Sequence, residues 1–197
     1  MVVCPVYGDD NCMHYKIHPH ITVNAPAPQT QVIQPSAHLD LLHGDVIATL
    51  VDNYDITGDV VQTADGFCVS LKSVAATIGY SDFLVQIDIR HAPNSCEYNA
   101  ILAHENEHIR AYMSIVNDFN LEMHAAVFGA ADSVMPVFVH TAAEIDNALD
   151  ALNFALQTHP DVVLVKQKIR AAEEIRNRRI DDEDNGARMK QCAAKSE

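Results

Sequence analysis

Residues 103–109, AHENEHI, contain two histidines four positions apart, with a glutamate directly after the first. Residues i and i+4 of an α-helix lie on one face, about one turn apart. A helix here would therefore direct the imidazoles of His104 and His108 to a single metal ion, which is the HExxH pattern. Glu105 lies about 100° further round such a helix, beside the metal, where it can reach a water that the metal carries. The spacing predicts a zinc site in a hydrolase, provided that a third ligand and a substrate cleft exist.

The residues around this motif predict a long helix. Pro93 closes the preceding strand, and Asn94 with Glu97 three residues later is typical of a capping box at a helix start. No glycine or proline follows until Gly129. Large or motif residues recur at three- and four-residue steps, namely Tyr98, Ile101, Glu105, His108, Tyr112, Ile115, Phe119 and Met123. We therefore predict a helix of roughly eight turns, with the motif on its core-facing stripe and a loop beginning at Gly129.

The residues before this helix predict strands. Residues 60–71 have the pattern of a hairpin with its turn at residues 64–66. In residues 83–90, Phe83, Val85, Ile87 and Ile89 alternate with polar residues, which predicts a strand with one buried and one solvated face. A strand directly before the motif is a place where a substrate backbone can bind by adding a further strand.

The residues after residue 140 predict two more helices. Thr141 caps the first of them, and His159-Pro160 ends it. The second runs from Val162 to about Ile180, and the acidic run at residues 181–184 favours a solvated helix end. The predicted fold class is α+β, with an antiparallel sheet followed by three long helices. We expect a β-rich part over residues 1–93, a helical part over 94–190 and a tail over 191–197, together in one compact domain.

Composition limits the classes of partner. The chain has 27 acidic and 13 basic residues, giving a formal net charge of −14. Such a surface repels phosphate backbones and anionic membranes, so we expect no nucleic-acid partner. No apolar run approaches the length of a transmembrane helix, so we expect no membrane insertion.

The cysteines bear on the compartment. The five cysteines, Cys4, Cys12, Cys68, Cys96 and Cys192, are scattered and form no CxxC pair. This scatter favours disulfides, such as one that ties Cys192 near the C-terminus to Cys96 at the head of the motif helix. The odd count fits buried thiols in a cytoplasmic protein instead. Residues 1–16 lack the pattern of a signal peptide, so Met1 either begins an unexported chain or replaces a removed signal. We expect a secreted or periplasmic protein, with the cytoplasm as the alternative.

The strand at residues 83–90 followed by the helix bearing His104, Glu105 and His108 resembles the core of the zincin metallopeptidases. More loosely, the layout is similar to that of bacterial secreted zinc-dependent proteases. The resemblance implies a peptidase that binds Zn²⁺ through His104 and His108 and uses Glu105 as the catalytic base on a peptide or protein substrate. The HExxHxxGxxH continuation of the metzincins is absent, since Ala111 stands where that pattern has glycine.

The sequence leaves the third metal ligand open. Counting back along the second predicted helix places the corner at residues 159–161 near the level of His108, which favours His159 and also allows Asp161. Glu144 would serve as the third ligand if the first helix ended early. His91, at the end of the preceding strand, is a further candidate.

Two other functions remain open at this point. Glu105-x-x-His108 is also the pattern of di-iron carboxylate bundles, which need a second such pair and two more glutamates. A non-catalytic zincin-like binding protein is the other alternative.

Overall fold

The chain combines one sheet with four α-helices in the part that the computed structural model describes, which is residues 10–26, 30–36, 43–184 and 186–194. The strands are β1 (His20–Asn24), β2 (Thr30–Ser36), β3 (Gly44–Gln62), β4 (Phe67–Asp88) and β5 (Val137–Val139). The α-helices are α1 (Cys96–Ser133), α2 (Ile145–Gln157), α3 (Pro160–Asp184) and α4 (Ala187–Ala194). Short 3-10 helices cover Asp10–Tyr15 and Ala142–Glu144. The predicted α+β class is confirmed.

Strand β4 is the centre of the sheet. Its residues 73–77 pair in parallel with β1, and its residues 82–88 pair in parallel with β2. Its first residues, 67–69, pair antiparallel with β5. The predicted hairpin is the pair β3–β4, whose turn is closed by a 2.8 Å bond from the Thr63 N–H to the Gly66 carbonyl. The sheet is therefore mixed, and the antiparallel arrangement that we expected holds for only part of it.

The contacts divide the chain into two compact units. The first unit takes its described residues from the ranges 1–24, 52–77 and 120–167, and the second takes its described residues from 25–51, 78–119 and 168–197. Strands β3 and β4 and helices α1 and α3 each contribute residues to both units. The predicted boundary at residue 93 thus marks a change from strand to helix along the chain. It does not separate the two units, because each unit contains both strands and helices. Helix α4 includes residues 191–194, which we expected to be a tail.

Helix α1 begins as its sequence predicts, with one difference in the cap. The Ser95 hydroxyl accepts a hydrogen bond from the Tyr98 N–H at 3.1 Å, so Ser95 is the capping residue. Asn94 has φ of 67°, a left-handed conformation that asparagine tolerates better than most residues.

Helix α1 continues through Gly129, where we expected a loop. Glycine in a helix costs about 1 kcal/mol relative to alanine. The neighbouring Val127, Ala130 and Ala131 are all buried, and burial of that face outweighs this cost.

Each unit has its own buried apolar residues. In the second unit, β4 and α1 supply a core cluster of Tyr80, Phe83, Val85, Ile87, Ile101 and Ile109. In the first unit, the buried residues include Val69, Val74, Met123, Val127, Leu152, Leu156 and Val162. The alternation predicted for residues 83–90 is confirmed up to Ile87, whereas Ile89 lies beyond the end of β4 and is exposed.

Each unit also contains a disulfide. Cys12 is bonded to Cys68 in the first unit, and Cys96 is bonded to Cys192 in the second. The second bond is the pairing that the sequence suggested, and it ties α4 to the first residue of α1. Cys4 lies outside the described residues.

Candidate metal centre

Helix α1 brings the two motif histidines together in the second unit. The His104 Nε2 and His108 Nε2 atoms are 3.1 Å apart, and the two ring planes are nearly perpendicular at 84°. His108 is buried and His104 is partly buried. The one-turn spacing thus directs both Nε2 atoms at the same point.

Asp181, on the part of α3 in the second unit, completes a triangle with these two atoms. Its Oδ1 atom is 3.2 Å from His104 Nε2 and 3.1 Å from His108 Nε2. Donor atoms bound to one tetrahedral zinc at 2.0–2.2 Å are about 3.3 Å apart, so the three sides match one face of such a tetrahedron. Among the described residues, this is the one group of three His, Cys, Asp or Glu side chains that can hold a metal ion.

The residues that we predicted as third ligand do not belong to this group. Our prediction of His159 assumed that α2 is as long as the part of α1 that follows His108. Helix α1 runs on from His108 to Ser133, roughly 37 Å, whereas the 13 residues of α2 cover about 20 Å. His159 instead lies at the start of α3, where its Nδ1 accepts a 3.3 Å hydrogen bond from the Asp161 N–H.

The other predicted ligands also have different surroundings. The Glu144 carboxylate accepts hydrogen bonds from the Thr141 N–H at 2.9 Å and hydroxyl at 3.0 Å, and these bonds hold the pKa of Glu144 below its usual range. Glu144 is therefore a capping residue. The Asp161 side chain is mostly exposed, and His91 contacts His43.

The outer nitrogens of the two histidines face α3. Asn177 Oδ1 is 3.0 Å from His108 Nδ1, and Asn177 Nδ2 donates to the Tyr112 hydroxyl at 2.9 Å. The amide oxygen therefore accepts a bond from Nδ1–H, which leaves the His108 Nε2 lone pair free for a cation. Within the described part of the chain, His104 Nδ1 is buried with no hydrogen-bond partner, and the nearest carboxylate, Asp184, is 3.8 Å away.

Glu105, which the sequence predicts as the catalytic base, lies next to the triangle. It is 4% exposed and lines the same cavity as the triangle. Burial, and then the charges of Asp45 and Asp181, raise the pKa of Glu105 to about 8. A cation in the triangle would oppose this shift, because a nearby positive charge favours the ionised carboxylate.

Gly44 fixes how closely β3 approaches this carboxylate. A Cβ atom at residue 44 would lie 2.6 Å from Glu105 Oε1 and 2.4 Å from Ile101 Cγ2. The start of β3 can therefore pass over Glu105 only because residue 44 has no side chain.

The cavity at the triangle has a volume of about 490 Å³, within the range of small-molecule sites. Its lining comes from residues 43–46 at the start of β3, from α1, from α3 and from Gly186, Arg188 and Met189 at α4. Arg188 donates to Glu107 Oε1 at 2.6 Å, and its Nε forms an ion pair with Asp184 Oδ1 at 3.0 Å. The strand at the cavity is thus β3 and not the strand that we predicted at residues 83–90. Residues 83–88 belong to β4, which pairs with both β2 and β3.

Sequence reasoning missed Asp181 because it lies in the acidic run at residues 181–184. We interpreted that run as a solvated helix end, and Asp182 and Glu183 are indeed exposed. A signal was nevertheless available: Asn177, Asp181 and Asp184 are spaced by four and three residues, which places them on one face of a helix. All three line the cavity.

No protein-family model, curated protein or solved structure matches the chain. None of the described helices combines the length and apolar character that crossing a bilayer requires.

Proposed function

We propose that the chain is a zinc-dependent peptidase, with Zn²⁺ held by His104, His108 and Asp181 and with Glu105 as the base. The observation that carries the proposal is the triangle of three donor atoms 3.1–3.2 Å apart beside a buried carboxylate in one cavity. Catalytic zinc sites use three protein ligands and keep a fourth position open for water or substrate. The Asp181 side chain is 60% exposed, so the triangle is open to solvent on that side.

The same ligand set is also known from non-haem iron sites, which use two histidines and one carboxylate. Glu105 favours the hydrolytic function. It is 4% exposed and lines the cavity beside the triangle. A buried carboxylate costs free energy unless it is paired, so its place next to the triangle calls for a partner in the cavity.

The chain's own residues have distinct tasks in peptide hydrolysis. Bound zinc would supply Lewis acidity, which activates a water molecule and polarises the scissile carbonyl. Glu105 takes a proton from the attacking water and passes it to the nitrogen of the leaving amine as the C–N bond breaks. Asn177 holds the His108 ring in the tautomer that a cation requires.

Two features support an extended peptide as the substrate. The first residues of β3 line the cavity, and a strand there offers backbone donors and acceptors to an extended chain. The cavity lining also includes apolar side chains, such as Val46, Ile101 and Met189, that can contact substrate side chains.

The two disulfides support an oxidising compartment. We therefore propose a secreted or periplasmic enzyme rather than a cytoplasmic one.

The test is to compare Glu105→Gln with the wild-type chain in metal content and in hydrolysis of a mixed library of quenched fluorescent peptides. We expect the variant to keep its zinc and to lose about 10²- to 10⁴-fold in kcat/KM, the range for a general base. Glu107→Gln, which changes the other acid of the motif, is the matched control and should keep hydrolysis.

Other outcomes would identify the alternatives. Full activity in Glu105→Gln would exclude Glu105 as the base. A zinc-loaded wild-type chain that cleaves no peptide would favour a non-catalytic binding protein, and two irons per chain would favour the di-iron site.

A further inference from the structure

His43 lies at the same cavity as Glu105 and the two motif histidines, although it is far from them in sequence. Its backbone is fixed to the end of β4, because the Asp88 N–H donates to the His43 carbonyl at 3.0 Å. The next residue is Gly44, whose backbone passes directly over the Glu105 carboxylate. His43 is therefore adjacent in the chain to the point where β3 contacts the proposed base.

The ring of His43 is oriented by a second histidine. His43 Nδ1 and His91 Nε2 are 3.0 Å apart, and the two ring centroids are 5.1 Å apart. In the tautomer in which His91 donates its Nε2–H to Nδ1, His43 carries its own proton on Nε2. No other hydrogen bond to the His43 ring is found among the described residues, so this Nε2–H can be donated to a bound molecule.

His91 is itself held by a turn at the end of β4. Its N–H donates to the Asp88 carbonyl at 3.0 Å. The Asp88 carboxylate accepts two hydrogen bonds from the Arg90 guanidinium, at 2.9 and 2.6 Å, and one from the Arg90 N–H at 2.8 Å. Burial, and then the proximity of His43, lower the pKa of His91, which favours the neutral ring that this hydrogen bond uses.

Hydrolysis of a peptide bond places negative charge on the carbonyl oxygen in the transition state, and a fixed donor near that oxygen accelerates the reaction. We propose that His43 is this donor, a second catalytic residue that gives its Nε2–H to the carbonyl oxygen of the substrate, and that His91 is its positioning residue. The proposal rests on the peptidase function proposed above. The motif places the site on α1, and His43, which directly precedes β3, adds a residue from the sheet side of the cavity.

The test measures kcat/KM on the quenched peptide library, zinc content, and calorimetric binding of a phosphinic tripeptide, which mimics the tetrahedral transition state. We expect His43→Ala to keep its zinc and to lose about a hundredfold in kcat/KM. It should lose a similar factor in affinity for the phosphinic peptide and little in affinity for a product dipeptide. His43→Gln, which keeps a side-chain N–H donor, should recover part of both losses.

The positioning role is tested by a double-mutant cycle. His91→Ala should lower kcat/KM by a smaller factor than His43→Ala and should have little further effect in the His43→Ala background. His124→Ala, a change of an exposed histidine on α1, is the control and should match the wild-type chain.

The outcomes separate this inference from the function on which it rests. A wild-type enzyme with metal-dependent hydrolysis and a His43→Ala variant of nearly equal kcat/KM would overturn the role of His43 and leave the peptidase intact. Loss of zinc in His43→Ala would also overturn it, since the effect would then be on the metal. A wild-type chain that binds zinc without hydrolysing peptides would overturn both proposals.

Discussion

The two compact units differ in what helix α1 buries in each of them. In the second unit α1 buries Glu105 and His108 beside a cavity, whereas in the first unit it buries Met123, Val127 and Ala130. The described part of the chain has four buried polar or charged residues, and three of them, Asp88, Glu105 and His108, are in the second unit. One continuous helix thus buries apolar side chains in both units, and in the second unit it also buries two residues of a candidate site.

The two units differ physically because burying an unpaired polar group costs free energy, whereas burying a methyl group does not. An unpaired polar group removed from water costs roughly 1–3 kcal/mol in proteins, and a charged group costs more. Among the described residues, the second unit therefore buries a carboxylate and an imidazole that a bound cation would stabilise, Glu105 and His108, whereas the buried polar groups of the first unit are the hydroxyls of Tyr54 and Ser70. Changes in the two units should accordingly separate into effects on stability alone and effects on the metal.

The largest expected effect in this comparison concerns the disulfides. Replacing the two cysteines of Cys12–Cys68 by serine should lower the unfolding free energy by about 4 kcal/mol, and the same replacement at Cys96–Cys192 should lower it by about as much. The reason is that the bonds close loops of 56 and 96 residues. The second replacement should also weaken zinc binding, because it frees α4, whose Arg188 lines the cavity. Urea unfolding and competition with a zinc chelator measure the two quantities. Equal effects of both replacements on zinc affinity would contradict the division of roles.

A smaller effect is expected at the outer hydrogen bond to the metal site. Asn177→Ala removes the acceptor for His108 Nδ1–H and should weaken zinc binding about 10- to 100-fold. Asn177→Asp keeps an acceptor and should bind zinc more tightly than the alanine variant. Arg176→Ala, which changes a neighbouring contact of α3 with Asp118, is the control in the same chelator competition. An Asn177→Ala variant with unchanged affinity would show that this hydrogen bond does not support the site.

The smallest effect, taken per pH unit, is a dependence of stability on pH in the metal-free protein. The pKa of Glu105 is about 8 in the folded chain, against an ordinary value of 4.5. Between these values the unfolded chain releases a proton that the folded chain keeps, so stability should fall as pH rises, by at most about 1.4 kcal/mol per pH unit. This contribution is present in full below pH 4.5 and is lost by the time pH exceeds about 8.

The Glu105→Gln variant has no such proton to lose. Urea unfolding in a metal chelator at pH 5, 6.5 and 8 should therefore show a steeper decline for the wild-type chain than for the variant. Parallel curves for the two proteins would mean that Glu105 is ionised in the metal-free fold.

The sequence predicted those features that local patterns determine. The periodicity of α1, the alternation at residues 83–87 and the turn of the β3–β4 hairpin all depend on near neighbours, and each was found. The Cys96–Cys192 bond was also predicted, although its partners are distant in sequence. The extension of α1 past Gly129 was not, because the propensity of one glycine is outweighed by the buried residues around it.

The third ligand could not be obtained in the same way. Asp181 belongs to an acidic run in which Asp182 and Glu183 are exposed, and its difference from Asp182 arises from which helix face meets His104 and His108. His43 and His91 are likewise joined by the pairing of β3 with β4 and not by spacing. These contacts depend on tertiary structure, which composition and periodicity do not encode.

The central claim is that Asp181, together with His104 and His108, holds the metal ion. The most direct test is the zinc content of purified wild-type protein and of Asp181→Ala, with His159→Ala and Asp182→Ala as controls, after equal exposure to zinc and removal of the excess. We expect one bound zinc in the wild-type chain and in both controls, and a loss of that zinc in Asp181→Ala. Full zinc content in Asp181→Ala, or its loss in His159→Ala, would contradict the site described here.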